Sequence, residues 1–203
     1  MVTALLLIFD PDNTWSRIEA TKRSVMRVLS MYLLPIMFLT CVVEGGLLLK
    51  LGVQAGHFSD RLKPVSQELV VRYEVAQLVL GLLVCFLGAW LLQKFGAGFH
   101  RTHPYSDCFA ALGYSLGPYF LLRMLDGWPA LNTWIVWGIG VLLALSVLYR
   151  GIPRLMKPDP SNALGLYLMC SLLILVLTGL AHFVATLILE EKILQGGVGM
   201  PGL

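Results

Sequence analysis

The chain alternates long apolar runs with short polar segments, and five of the runs approach the length a bilayer demands. A hydrocarbon core of about 30 Å needs about 20 helical residues, fewer where flanking side chains help. The runs are Val28 to Leu49, Val75 to Leu92, Cys108 to Leu125, Leu131 to Tyr149 and Ala163 to Leu189. Tyr32, Tyr73, Trp90, Trp128, Trp134, Tyr149 and Tyr167 stand near their ends, where amphipathic rings prefer to lie. Within lipid every backbone polar group must be paired inside the protein, and continuous helices do that. There is no alternating strand pattern to suggest a barrel. The pattern predicts an all-α fold, a polytopic membrane bundle of five transmembrane helices with an N-terminal interfacial amphipathic helix. It divides into an N-terminal segment (1–27), a membrane domain (28–189) and a Gly-rich flexible tail (190–203).

Composition agrees. Charged residues make up 13% of the chain and mean hydropathy is +0.77, against about 25% charged in soluble domains. The net charge is only +3, and fifteen basic residues spread over six polar segments make no nucleic-acid footprint. Nine Lys and Arg fall on the N-terminal side of the proposed membrane and six on the other. That bias predicts a cytoplasmic N-terminus and an outside C-terminus. Cys41, Cys85, Cys108 and Cys170 lie in or beside apolar runs without CxxC spacing, as buried thiols do.

The start, MVTALLLIFDP, lacks a basic n-region and a cleavage site, so it reads as retained and interfacial. After it, Asp12, Asn13 or Ser16 could cap a helix, Ser16 and Glu19 having capping-box spacing. Trp15, Ile18, Val25 and Leu29 fall roughly on one face, with Arg17, Lys22, Arg23 and Arg27 among or beside them. A basic amphipathic helix on the membrane surface fits that pattern.

The third run holds GYSLGPYF. Gly113 and Gly117 lie four apart on one face, where another helix can approach closely. Pro118 has no N–H, so the Tyr114 carbonyl loses its helical partner; it needs another donor, from Ser115 or a neighbouring helix, or the helix must bend, and the motif reads as a kinked helix at a helix–helix contact. Pro35 interrupts the first run in the same way.

These residues carry a resemblance. DCFAALGYSLGPYFLL resembles the GYxxxP-containing span of the Yip family, multi-span membrane proteins named for interaction with Ypt/Rab GTPases. DPDNTWSRI followed by YLLPI, and YRGIPRLMKPDPSNALG, are similar to the start and the fourth loop of its short prokaryotic members. The likeness covers most of residues 5 to 189. It implies a five-span fold in a membrane and, from the likeness to the short prokaryotic members, the cytoplasmic (inner) membrane of a prokaryote. Eukaryotic relatives, with a long cytoplasmic N-terminal region, act in vesicle traffic and membrane shaping. Only about 27 residues precede the first run here, so small-GTPase binding is not carried over.

Polar groups inside the runs are few, and each is a functional candidate. Glu44 lies in the last third of the first run, Arg123 at the end of the third, and His182 in the outer part of the fifth. By topology all three share one side, and a Glu44–Arg123 pair is possible. His182 reads as a neutral imidazole hydrogen-bonded to a neighbouring helix. His100 and His103 have i, i+3 spacing, but flanking Gly and Pro make the region a loop, so no metal is expected. There is no GxSxG, HExxH or phosphate-binding Gly-Lys loop, so no catalytic residue and no cofactor is assigned. The function expected is an integral membrane scaffold or interaction protein of the Yip type, organising partner proteins or membrane shape, with no catalysis. Its partners would be the lipid bilayer and another membrane protein or a second copy. The alternative is a small transporter or channel subunit using Glu44, Arg123 and His182.

Overall fold

A computed structural model describes residues 2–21, 24–54, 62–98, 103–158 and 162–195. Seven helices lie among them. Two short ones come first, α1 (Val2–Phe9) and α2 (Pro11–Thr21). Five are long and apolar enough to cross a membrane: α3 (Val25–Leu51), α4 (Gln67–Gly98), α5 (Tyr105–Leu125), α6 (Thr133–Leu155) and α7, which spans from Ala163 to Leu189 and stays helical to Gln195. The chain is an integral membrane protein built as an all-α bundle. A two-residue antiparallel pair, β1 (Val53–Gln54) on β2 (Leu62–Lys63), ornaments the first loop.

The five runs are all present; the helices overrun most of their ends, but the fourth starts at Thr133, two residues inside its run, where the Asn132 side chain accepts from the Trp134 N–H. The second begins at Gln67, not Val75: Leu69, Val70 and Tyr73 are buried in its first turns, and Glu68 and Arg72 pair one turn apart on the exposed side. The Gly-rich end of the tail, 196–203, lies outside the described residues.

α5 is the axis of the bundle. Every residue from Cys108 to Phe120 is buried, whereas the other spans each leave an apolar stripe exposed. α3, α4 and α6 pack round it, α7 fits against α4 and α6, and α1 also touches it. Small residues put it there. A methyl group on Gly113 would meet Leu33 at 3.2 Å, and one on Gly117 would collide with the Tyr32 hydroxyl. The groove anticipated on this face is filled by α3.

Both prolines sit in unbroken helices. The Tyr114 carbonyl, released by Pro118, accepts from the Tyr32 hydroxyl at 3.1 Å. Ser115 instead donates to Ala111. In α3 one π-helical turn, Leu29–Leu33, precedes Pro35 and absorbs the break in register.

The N-terminal helices close one end of the bundle. α2 starts at Pro11, a residue suited to the first helical position. Asp10 precedes it and accepts from the Asn13 side chain. The expected capping box does not form, because Ser16 lies inside the helix and bonds back to Asp12 and Asn13 carbonyls.

Candidate functional site

The far end of the bundle, where α3 ends and α4 begins, holds a buried polar cluster. Glu44 on α3 is fully buried. Its Oε2 accepts from the Arg123 guanidinium at 2.8 Å, and its Oε1 accepts from the Tyr73 hydroxyl at 2.9 Å. Gln77, one turn along α4, donates to the Tyr73 oxygen at 2.9 Å. The four side chains come from three helices and form one continuous network.

Two further carboxyl groups join it. Asp126 follows α5 and brings Oδ2 to 3.9 Å from Arg123 Nε. Glu74 projects from α4 beside Gly45, where a methyl group would lie 3.3 Å from its Cγ. Arg123, Asp126 and Glu74 are 4%, 7% and 8% exposed, so all four charged groups are withdrawn from water. Neither oxygen of Glu74 or of Asp126 has a hydrogen-bond donor among the described residues. Burial pushes the Asp126 carboxyl up to about 8, the Glu44 carboxylate adding to the rise and Arg123 opposing it.

Close backbone contact holds the cluster shut. A methyl on Gly127 would meet the Glu44 carbonyl oxygen at 2.7 Å and Leu47 Cβ at 2.8 Å. Because both atoms are anchored to α3, only glycine lets the loop after α5 press Asp126 into place. Thr40, one turn before Glu44, donates to the Phe120 carbonyl at 2.8 Å and ties the same two helices together.

Such a constellation can hold charge away from water. Two unit charges about 4 Å apart at an effective dielectric of about 20 interact by about 4 kcal/mol. The ion pair offsets part of the burial cost of Glu44 and Arg123. It leaves the other two carboxyl groups without a matching cation.

Glu44 and Arg123 are therefore brought together, and His182 is not hydrogen-bonded to them. Its ring lies between Trp134, edge-on at 4.8 Å, and Trp137, stacked at 6.3 Å. The expected hydrogen bond to a neighbouring helix is not made: neither ring nitrogen has a partner among the described residues. Two indole rings flank the imidazole, and no hydrogen-bond partner among the described residues does.

Glu74, Gln77 and Asp126 were missed in the sequence, and Tyr73 was read there only as an interfacial ring. Hydropathy ends the second run at Val75, which leaves Tyr73 and Glu74 in a loop. Extending the helix through the Glu68–Arg72 pair would have placed Glu74 at the depth of Glu44.

The N-terminal residues also differ from expectation in where they point. Trp15 is fully buried and its Nε1 donates to the Val147 carbonyl at 3.2 Å. The apolar face of α2 meets protein, while Arg17 and Arg27 are exposed. Val25 and Leu29 belong to α3, so the amphipathic helix stops at Thr21. Lys22, Arg23 and His100 lie outside the described residues. Asp12 bridges Arg150 at 2.7 Å and Arg154 at 3.0 Å, and Lys157 reaches Glu19 at 2.7 Å. That lysine holds the Glu19 carboxyl below its ordinary value.

Compared with known proteins, the chain matches the family model described as the Yip1 domain over residues 5–183. The comparisons with curated proteins and with solved structures return no match.

Proposed function

This chain belongs to the Yip1 domain family, and we propose that it serves as a membrane scaffold that inserts an apolar wedge into one leaflet. One observation carries the reading. α1 has eight residues, too few to cross a bilayer, yet Val2, Leu5, Leu6 and Phe9 are exposed on it. Apolar surface of that kind gains free energy by entering the acyl region beside the headgroups.

The wedge is held, not tethered loosely. Ala4 and Leu7 are buried against the bundle, and Trp15 anchors the following helix to α6. A rigid insertion into a single leaflet expands that leaflet. The excess of basic residues on this side supports the cytoplasmic leaflet as its location. Partner proteins or a second copy would be gathered by the same platform.

Reconstitution tests it. Vesicles carrying the protein are expected to become smaller or tubular in electron micrographs. Val2→Ser, Leu5→Ser and Phe9→Ser together should abolish the effect while the bundle stays folded. Vesicles of unchanged shape at high protein density would reject the wedge. Native mass spectrometry of the extracted protein reads self-association or a bound membrane partner.

A second reading, a small transporter or channel subunit, is favoured by the buried Glu44–Arg123 pair. Charged groups withdrawn into a span commonly mark substrate or proton paths. Proteoliposome flux that survives Glu44→Gln unchanged would remove the pair from any such path.

A further inference from the structure

Three carboxyl groups, Glu44, Glu74 and Asp126, face one guanidinium, and each is more than nine-tenths buried. If all are ionised, two negative charges stand unmatched in a protein interior bounded by lipid. Buried carboxylates of that kind are neutralised or matched by a cation.

The hydrogen bonds separate the three. Glu44 receives two donors, one of them the guanidinium, which favours its charged form. Glu74 receives none, although the Cys41 thiol lies nearby and donates to its backbone carbonyl at 3.8 Å. Asp126 receives none and stands 3.9 Å from Arg123 Nε, itself without a hydrogen-bond acceptor. These are buried polar atoms that the hydrogen bonds of the ion pair leave unsatisfied.

The missing positive charge has a size. Among the described residues no three metal-binding side chains converge to hold an ion. Hard cations take about six or more oxygens. A proton needs one. The other polar or titratable groups turned towards the cluster are Cys41 from α3, Tyr73 and Gln77 from α4, Tyr119 from α5 and, further off, His182 from α7.

We propose that this cluster is a proton-binding site, in which Glu74 and Asp126 each take up one proton while Glu44 stays ionised against Arg123. In each uptake a carboxylate oxygen lone pair forms an O–H bond to a proton given up by hydronium, which leaves as water. The charge of the cluster passes from minus two to zero. The protons come from the side of the first and third loops. Asp126 lies just past the end of α5, and Glu74 lies two turns inside α4, about 10 Å along its axis. Loss of either proton sets a new negative charge beside Glu44 and favours opening of this end to water. The proposal does not depend on the wedge reading.

Infrared difference spectroscopy of the full chain in lipid nanodiscs tests it, with pH stepped from mildly acidic to alkaline. The wild type is expected to show two C=O bands of neutral carboxyl groups that vanish on alkalinisation. Glu74→Gln and Asp126→Asn, isosteres of the neutral acids, should fold at neutral pH and each lose one band. Glu44→Gln should lose neither. A wild-type spectrum without neutral-carboxyl bands, or bands untouched by both variants, would overturn the site. So would failure of both isosteres to fold. Thermal stabilisation by sodium or calcium ions, with the bands absent, would assign the charge to a metal and overturn the proton.

Discussion

Tyr32 donates its hydroxyl to the carbonyl of Tyr114 across 3.1 Å, and that carbonyl is the one Pro118 deprives of a helical N–H. A phenol from another helix repairs a backbone defect in the middle of the bundle. It gets there because Gly117 has no side chain.

Two substitutions separate the parts of that relationship. Tyr32→Phe keeps the ring packing and removes one hydrogen bond, with an expected cost of about 1 kcal/mol. Gly117→Ala puts a methyl where the Tyr32 oxygen sits and displaces the ring as well. Its cost should be larger, about 2–3 kcal/mol. Unfolding in mixed detergent micelles measures both, and equal effects would refute the role assigned to Gly117.

The Glu44–Arg123 pair predicts strong coupling. Arg123→Gln strands a buried carboxylate and should cost about 3–5 kcal/mol. Glu44→Gln combined with Arg123→Gln should recover most of that loss, since no lone charge remains. A double-mutant cycle in the same unfolding assay gives the coupling, and strictly additive losses would deny the pair.

Asp126 predicts a pH dependence. Its ordinary value is 3.8 and in the folded chain it rises to about 8. Between those values the folded state holds more protons than the unfolded one. This contribution to stability is therefore complete below 3.8 and is lost as pH rises towards about 8. Thermal melts across that interval should show melting temperature falling with pH. Asp126→Asn should flatten the slope, and an unchanged slope would contradict the assignment.

Trp15 predicts that the N-terminal helices are held by packing more than by charge. Trp15→Ala should cost about 3–5 kcal/mol and speed proteolysis in α1 and α2. Asp12→Asn, which breaks two exposed ion pairs, should cost less than about 1 kcal/mol. Gly151→Ala should resemble the first, because its methyl would sit 2.5 Å from the indole. Limited proteolysis reads all three, and a dominant Asp12 effect would reverse the order.

The spans were legible because one constraint governs them: backbone in lipid must be helical, and about 20 apolar residues in a row declare it. The orphaned Tyr114 carbonyl was legible too, from the fixed chemistry of proline. Its donor was not, since Ser115 and any neighbouring helix were equal candidates. Glu44 and Arg123 stood out as charges in apolar runs, whereas Glu74 and Asp126 looked like loop residues just outside them.

Sequence alone determined that this chain crosses lipid as five helices, that one of them is rich in small residues, and that a carboxylate and a guanidinium lie near the same end. Tertiary structure decided which helix becomes the axis, which phenol repairs the proline, and which carboxyl groups gather round Arg123. Periodicity and hydropathy act along one helix and can be read in one dimension. The approach of Gly127 to the Glu44 backbone, and of Trp15 to Gly151, joins residues far apart in the chain and depends on the shape of both surfaces.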